Sequence, residues 1–139
     1  EFIGIFLPFT ESKGQLSNID KNLKSNEKIN TDIIPIIESE KGLKNLKEIC
    51  EFKERIKVIS FGSHDLAKSI NLKVSDDEKE ILSYRKLIVS HSKNPIDTSY
   101  LNFKDLIGFE KSCNLAKSIG FGGKACIHPG QIEISNKIF

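Results

Sequence analysis

Apolar residues along this chain fall into two alternating patterns. Short compact runs, Phe2 to Leu7, Ile33 to Ile37 and Val58 to Phe61, and two more mixed segments read as strands, Asn94 to Tyr100 and Gly123 to Ile127, are separated by longer stretches in which apolar positions recur every three or four residues. A run without polar alternation is what a strand buried on both faces presents, and such strands belong to parallel sheets covered by helices. The longer stretches predict helices. One carries Leu16, Ile19 and Leu23 and ends near Asn26; one spans Lys41 to Arg55 with Leu43, Leu46, Ile49 and Cys50 inward. A short helix or turn follows over Leu66 to Lys73. Next comes a long helix opened by a capping box at Ser75-Asp76-Asp77-Glu78, with Ile81, Leu82, Leu87 and Ile88 as its inner stripe. Asn102 to Ile119 buries Leu106, Phe109, Cys113, Ala116 and Ile119 and stops at Gly120, and a last helix runs from Pro129 to Phe139.

The rest of the chain is organised around Ile33 to Leu66. Its two apolar runs each finish on an acid, Glu38 and Asp65, with a helical stretch between, which makes a strand, helix, strand unit with parallel strands. Both acids then fall just past the carboxyl ends of strands, where α/β folds assemble their sites. Paired carboxylates on one rim are hard-oxygen ligands of the kind Mg²⁺ or Mn²⁺ takes, with water and substrate filling the remaining positions. Either acid alone also suits a helix cap or a solvent-facing position.

Composition narrows the possibilities. The 139 residues suit a single domain, and 21 basic against 19 acidic residues, spread evenly, leave no basic stripe for nucleic acid. Lys41, Lys44 and Lys47 fall on one solvent-facing helix side. Cys50, Cys113 and Cys126 are an odd number without CxxC spacing, so they read as buried, reduced thiols of a cytoplasmic protein. No apolar run approaches the roughly 18 residues of a membrane span.

The runs "IIPIIESEKGLKNLKEI", "VISFGSHDLAKSI", "PIDTSY" and "GFGGKACIHPGQIEISNKIF" together resemble the HpcH/HpaI aldolase and citrate lyase beta subunit family, in the family's order. The resemblance implies an α/β fold, a (β/α)8 barrel. A complete barrel needs about 250 residues, so 1–139 is expected to be one partial domain holding strands 4 to 8, the C-terminal portion of a longer protein. It also implies a carbon–carbon lyase whose Mg²⁺ (or Mn²⁺) is held by Glu38 and Asp65. The substrate would be an acyl-CoA thioester or a 2-keto acid, and the full-length chain a homo-oligomer, trimer or hexamer. The loop Gly62, Ser63, His64, Asp65 would receive the substrate carboxylate on its backbone amides.

Other positions carry expectations of their own. His64 beside a metal would serve as general base near neutral pH, or else be a solvated loop residue. Asp97, at a strand end, would orient substrate or steady other site groups, and Arg85 is expected to be a structural arginine, either on the surface or salt-bridging. His128, before Pro129, is expected to fix its loop by a hydrogen bond. Phe9 stands where family members often carry lysine, and the arginine that polarises the substrate carbonyl matches neither Arg55 nor Arg85. The stretch alone is therefore expected to be inactive and, with two open sheet edges, prone to aggregate. Two other readings remain open: a degenerate member kept as a scaffold or carboxylate-binding module, and a phosphoenolpyruvate or pyruvate phosphotransferase barrel.

Overall fold

The computed structural model describes residues 4–26, 30–75 and 77–139; Phe2 and Ile3 of the first predicted strand and Asp76 of the predicted capping box lie outside the described residues. Five strands, β1 (Gly4–Leu7), β2 (Asp32–Ile37), β3 (Ser60–Phe61), β4 (Ile96–Asp97) and β5 (Gly123–Lys124), form one sheet in chain order. Every neighbouring pair is parallel. The connections carry α1 (Lys13–Ser25), α2 (Glu40–Lys44), α3 (Leu46–Cys50), α4 (Ser63–Ser69), α5 (Leu82–His91) and α6 (Leu106–Ile119), and α7 (Ile132–Ile138) follows β5. A doubly wound sheet reverses its strand order at a switch point, whereas a barrel adds strands in sequence. This sheet has no reversal, so the α/β architecture is that of a partial (β/α)8 barrel.

Alternation along the strands sorts their residues onto two faces. Register pairs Ile5 with Ile33, Leu7 with Pro35 and Ile37 with Phe61 on one of them. There the core forms, with Ile33, Ile37, Ile59 and Phe61 packed against Leu16, Leu46, Ile49, Ile81, Ile88 and Ala116 from the helices. Each fully buried leucine or isoleucine contributes about 1.5–3 kcal/mol. The other face carries Phe6 beside Ile34, then Ile36, Ser60, Ile96 and Gly123 in one row. It is the barrel-interior face, and Phe6 is 55% exposed on it.

Several local expectations are corrected. The stretch Lys41 to Arg55 is not one helix: Asn45 leaves helical geometry at φ −97° and ψ 10° while its side-chain amide donates to the Glu11 carbonyl at 2.7 Å, which separates α2 from α3. Arg55 lies beyond both, buried, and bonds Asp20 Oδ1 at 2.5 Å and the Thr31 carbonyl at 3.1 Å, tying α1 to β2. No capping box forms at Ser75. Glu80, not Glu78, accepts from the Ser75 amide, and Glu78 adopts left-handed backbone (φ 53°) with its carboxylate turned inward. The capping box that does exist opens α1, between Ser12 and Gln15. Leu87 and Leu106 are exposed rather than inward, and β4 and β5 are two residues long rather than seven and five. By contrast Gly120 ends α6 in the left-handed conformation, φ 117°, as expected.

Burial also separates the thiols. Cys113 is buried and Cys50 half-buried, and burial pushes each thiol up to about 11, whereas Cys126 is exposed beyond the end of β5. Because the thiolate is the reactive form, iodoacetamide at neutral pH is expected to alkylate Cys126 in the native protein and the other two only after unfolding in urea. Intact-mass measurement of adducts checks this; three adducts under native conditions would refute it.

Candidate functional site at the carboxyl rim of the sheet

Glu38 follows β2 two residues after Ile36 and so continues the barrel-interior face. It is buried, and its Oε1 accepts the Phe9 amide at 2.8 Å. Its other oxygen lies over Gly62: a Cβ built on that glycine would stand 2.6 Å from both Glu38 Cβ and Glu38 Oε2, and 3.3 Å from Ile36 Cγ2. Burial pushes the Glu38 carboxyl above its ordinary value, the Phe9 amide partly offsets this, and the charge of Asp65 adds to the rise. The two acids are therefore electrostatic neighbours.

Asp65 lies in the first turn of α4, which starts at Ser63, earlier than the predicted Leu66. Its Oδ1 pairs with Lys68 Nζ at 2.8 Å, and its side chain is 43% exposed. An exposed i,i+3 pair of this kind contributes only about 0–1 kcal/mol and yields readily to a stronger cation. The loop before α4 is fixed from two sides: the Gly62 amide donates to the Ile37 carbonyl at 2.9 Å and the Ser63 amide to Thr98 Oγ1 at 3.2 Å. His64 Nε2 lies 3.0 Å from the Ser99 carbonyl. A carbonyl only accepts, so Nε2 is the donor in this contact. Beside His64 runs a cleft of about 380 Å³ bordered by Val74, Ser75, Glu78, Tyr100, Asn102 and Asp105.

Asp97 is not part of this cluster. It pairs in register with Lys124 on the helix-facing side of the sheet, opposite to Thr98 and Ile96, and is 0% exposed. Arg85 of α5 bonds both of its oxygens, Nε to Oδ1 and Nη2 to Oδ2, each at 3.0 Å, and Lys124 Nζ reaches Oδ2 at 2.6 Å. Glu78 completes the network, bonding Arg85 Nη2 at 2.8 Å and accepting from Ser112 Oγ at 3.1 Å. Burial works against the Arg85 charge, but the carboxylates of Asp97 and Glu78 outweigh it and hold the guanidinium pKa above its ordinary value. The ring of His128 stacks on Phe103 at 4.9 Å, and its Nδ1 accepts the Gly130 amide at 3.1 Å, so it does fix its loop. Sequence reasoning passed over two contributors to the site, the Phe9 amide and Gln15, because backbone donors and their supports leave no residue-type signal.

Glu38 and Asp65 offer the hard-oxygen donors a divalent cation takes, and the room for them depends on the missing Cβ of Gly62. No group of three or more His, Cys, Asp or Glu suited to a metal occurs among the described residues. Two carboxylates with water and substrate in the remaining positions are the usual complement for Mg²⁺, so the residues present fit that ion. No helix among them is long and apolar enough to cross a membrane.

A sequentially ordered parallel sheet with paired acids at its carboxyl rim defines a protein of the (β/α) barrel class. Residues 1–129 match the HpcH/HpaI aldolase/citrate lyase family, and the chain belongs to it. Mitochondrial citramalyl-CoA lyase of Rattus norvegicus is 33% identical over 122 residues, covering 78% of this chain and 36% of that protein. RipC from Yersinia pestis is 28% identical and superposes with a TM-score of 0.90 over 98% of this chain and 63% of RipC. The citrate lyase beta subunit of M. tuberculosis, complexed with oxaloacetate and magnesium, has the same fold at 21% identity and a TM-score of 0.80, over 99% of this chain and 61% of that one. The chain thus spans between about a third and two thirds of the length of these relatives.

Proposed function

We propose that 1–139 forms a partial domain of a Mg²⁺-dependent carbon–carbon lyase acting on an acyl-CoA thioester or a 2-keto acid, cytoplasmic and homo-oligomeric as a whole protein. The observation that carries this is Glu38: a buried carboxylate, held at one oxygen by the Phe9 amide, its other oxygen packed against a glycine with no room for a side chain, and raised in pKa by burial and by the charge of Asp65. Names of relatives support it, since citramalyl-CoA lyase acts on a thioester and the citrate lyase subunit was crystallised with magnesium and oxaloacetate.

A divalent cation held by Glu38 and Asp65 supplies Lewis-acid stabilisation to negative charge that builds on a carbonyl oxygen as the carbon–carbon bond breaks. The chain's own residues do the rest of what falls to this segment. Gly62 makes room for Glu38, and the amides of His64 and Asp65, at the start of α4, are the donors that would receive a substrate carboxylate. His64, held by Nε2 on the Ser99 carbonyl, borders the adjoining cleft and is the candidate general base. A second reading, a carboxylate-binding module without turnover, is favoured by Phe9, an apolar residue where relatives often carry lysine.

Mn²⁺ titration followed by electron paramagnetic resonance, with and without pyruvate or oxaloacetate, tests the reading. The intact chain is expected to bind Mn²⁺ more tightly with oxaloacetate present and to melt at higher temperature, because the cation relieves repulsion between the two acids. Both effects should vanish in Glu38→Ala and Asp65→Ala. Carboxylate binding without Mn²⁺ would favour the second reading.

A further inference from the structure

Phe9 is one of four non-glycine residues in the left-handed region among the described residues, at φ 46°. A bulky aromatic residue is a poor occupant of that conformation. Its ring does not account for the conformation, since it is 52% exposed. The peptide groups on either side do. The Phe9 amide donates to Glu38 Oε1 at 2.8 Å, and the Phe9 carbonyl accepts from Gln15 Nε2 at 3.2 Å. The next residue is anchored as well, with the Thr10 amide on the Ile36 carbonyl at 3.2 Å and Thr10 Oγ1 on the Leu7 carbonyl at 2.8 Å. Beneath it, a Cβ on Gly42 would stand 2.8 Å from the Thr10 carbonyl oxygen, so the turn rests directly on α2.

We propose that the Phe9 turn, braced by Gln15, is a positioning device that fixes Glu38 as a single-oxygen ligand. Oε1 is committed to the Phe9 amide, and Oε2, packed against Gly62, is the oxygen left to a cation. Strained backbone persists where surrounding bonds over-determine it, and such strain clusters at sites. Here one of the bonds that over-determine it ends on the carboxylate itself. Gln15 therefore has two separable jobs: its Oε1 accepts the amides of Glu11 at 2.7 Å and Ser12 at 3.1 Å, capping α1, while its Nε2 holds Phe9. The proposal rests on the reading of Glu38 as a metal ligand.

Gln15→Glu keeps the accepting half of the residue, and with it the cap, but removes the donor to Phe9. Ser12→Ala does the reverse, losing the Ser12 hydroxyl from the cap and leaving Phe9 held. Phe9→Pro deletes the amide and, because proline holds φ near −65°, abolishes the left-handed turn as well. Mn²⁺ affinity, read alongside the urea midpoint of each variant, is expected to fall about 10–100-fold in Gln15→Glu and Phe9→Pro, the usual range when a ligand's support is lost. Ser12→Ala should lower the midpoint and leave affinity as in the parent. Parent-like affinity in Gln15→Glu, or equal loss in Ser12→Ala, would overturn the positioning role alone. No Mn²⁺ binding by the parent would overturn the metal reading and the positioning role together.

Discussion

Asp97→Ala is expected to lower the free energy of unfolding by about 3–5 kcal/mol, the range found when one partner of a buried ion pair is removed. Three of the four charges in this network, Arg85, Asp97 and Lys124, have fully buried side chains. As a whole it is close to break-even. Two unit charges about 2.8 Å apart attract by about 6 kcal/mol at an effective dielectric constant of 20, against a desolvation cost of several kcal/mol per ion. Deleting one member changes that balance sharply. Without Asp97, Arg85 keeps Glu78, but Lys124 is left as a buried ammonium with no carboxylate among the described residues. The network has no spare acceptor, since Arg85 Nη1 is already buried and unbonded. Lys124→Met should cost less, because Asp97 would keep both bonds to Arg85. Against a total stability of about 5–15 kcal/mol, Asp97→Ala leaves a marginal protein. Urea unfolding followed by circular dichroism measures the loss; unchanged stability with weakened substrate binding would return Asp97 to the rim.

Gly62→Ala carries the other large effect, on Mn²⁺ affinity, which is expected to fall about 10–100-fold. The backbone at Gly62, with φ −110° and ψ 77°, does not require glycine. The obstacle is the contact: the new methyl would stand 2.6 Å from Glu38 Cβ and Oε2. Glu38 has no easy retreat, because the Phe9 amide holds its other oxygen and Ile36 closes the side. Either the carboxylate rotates off its bond or β2 and β3 separate locally, an overpacking that costs about 1–3 kcal/mol. A calorimetric Mn²⁺ titration beside the parent decides the matter, and parent-like affinity would sink the assignment of Glu38.

What could be read in the residues and what could not follows from the range of the forces involved. β1 and β2 were legible because each lies in a compact apolar run, whereas β4 and β5 are two residues long and carry Asp97 and Lys124; Glu38 stood out because it interrupts such a run at its end. Gly120 was legible because few other residues tolerate its φ. Glu78 was misread because an acid three residues after a serine suits a cap as well as it suits a distant arginine, and nothing local reveals that Arg85 points inward. Once Arg85 takes that position on α5, Leu87 is left in solvent. Asp97 depended on which face of β4 it occupies and on its register with Lys124, 27 residues later. The break at Asn45 likewise depended on Glu11, 34 residues earlier. Periodicity carries no information about either partner.

The order of the sheet has a consequence for how the chain is made. Strands begin at Gly4, Asp32, Ser60, Ile96 and Gly123 and lie side by side in that order. During synthesis at about 5–20 residues per second, a new strand leaves the ribosome roughly every 1–7 s. Each one finds its neighbour already present and adds to a single growing margin, so no early strand waits on a late one. Translation itself thus supplies the assembly sequence, and a pause between units interrupts growth without stranding a half-paired strand inside the sheet.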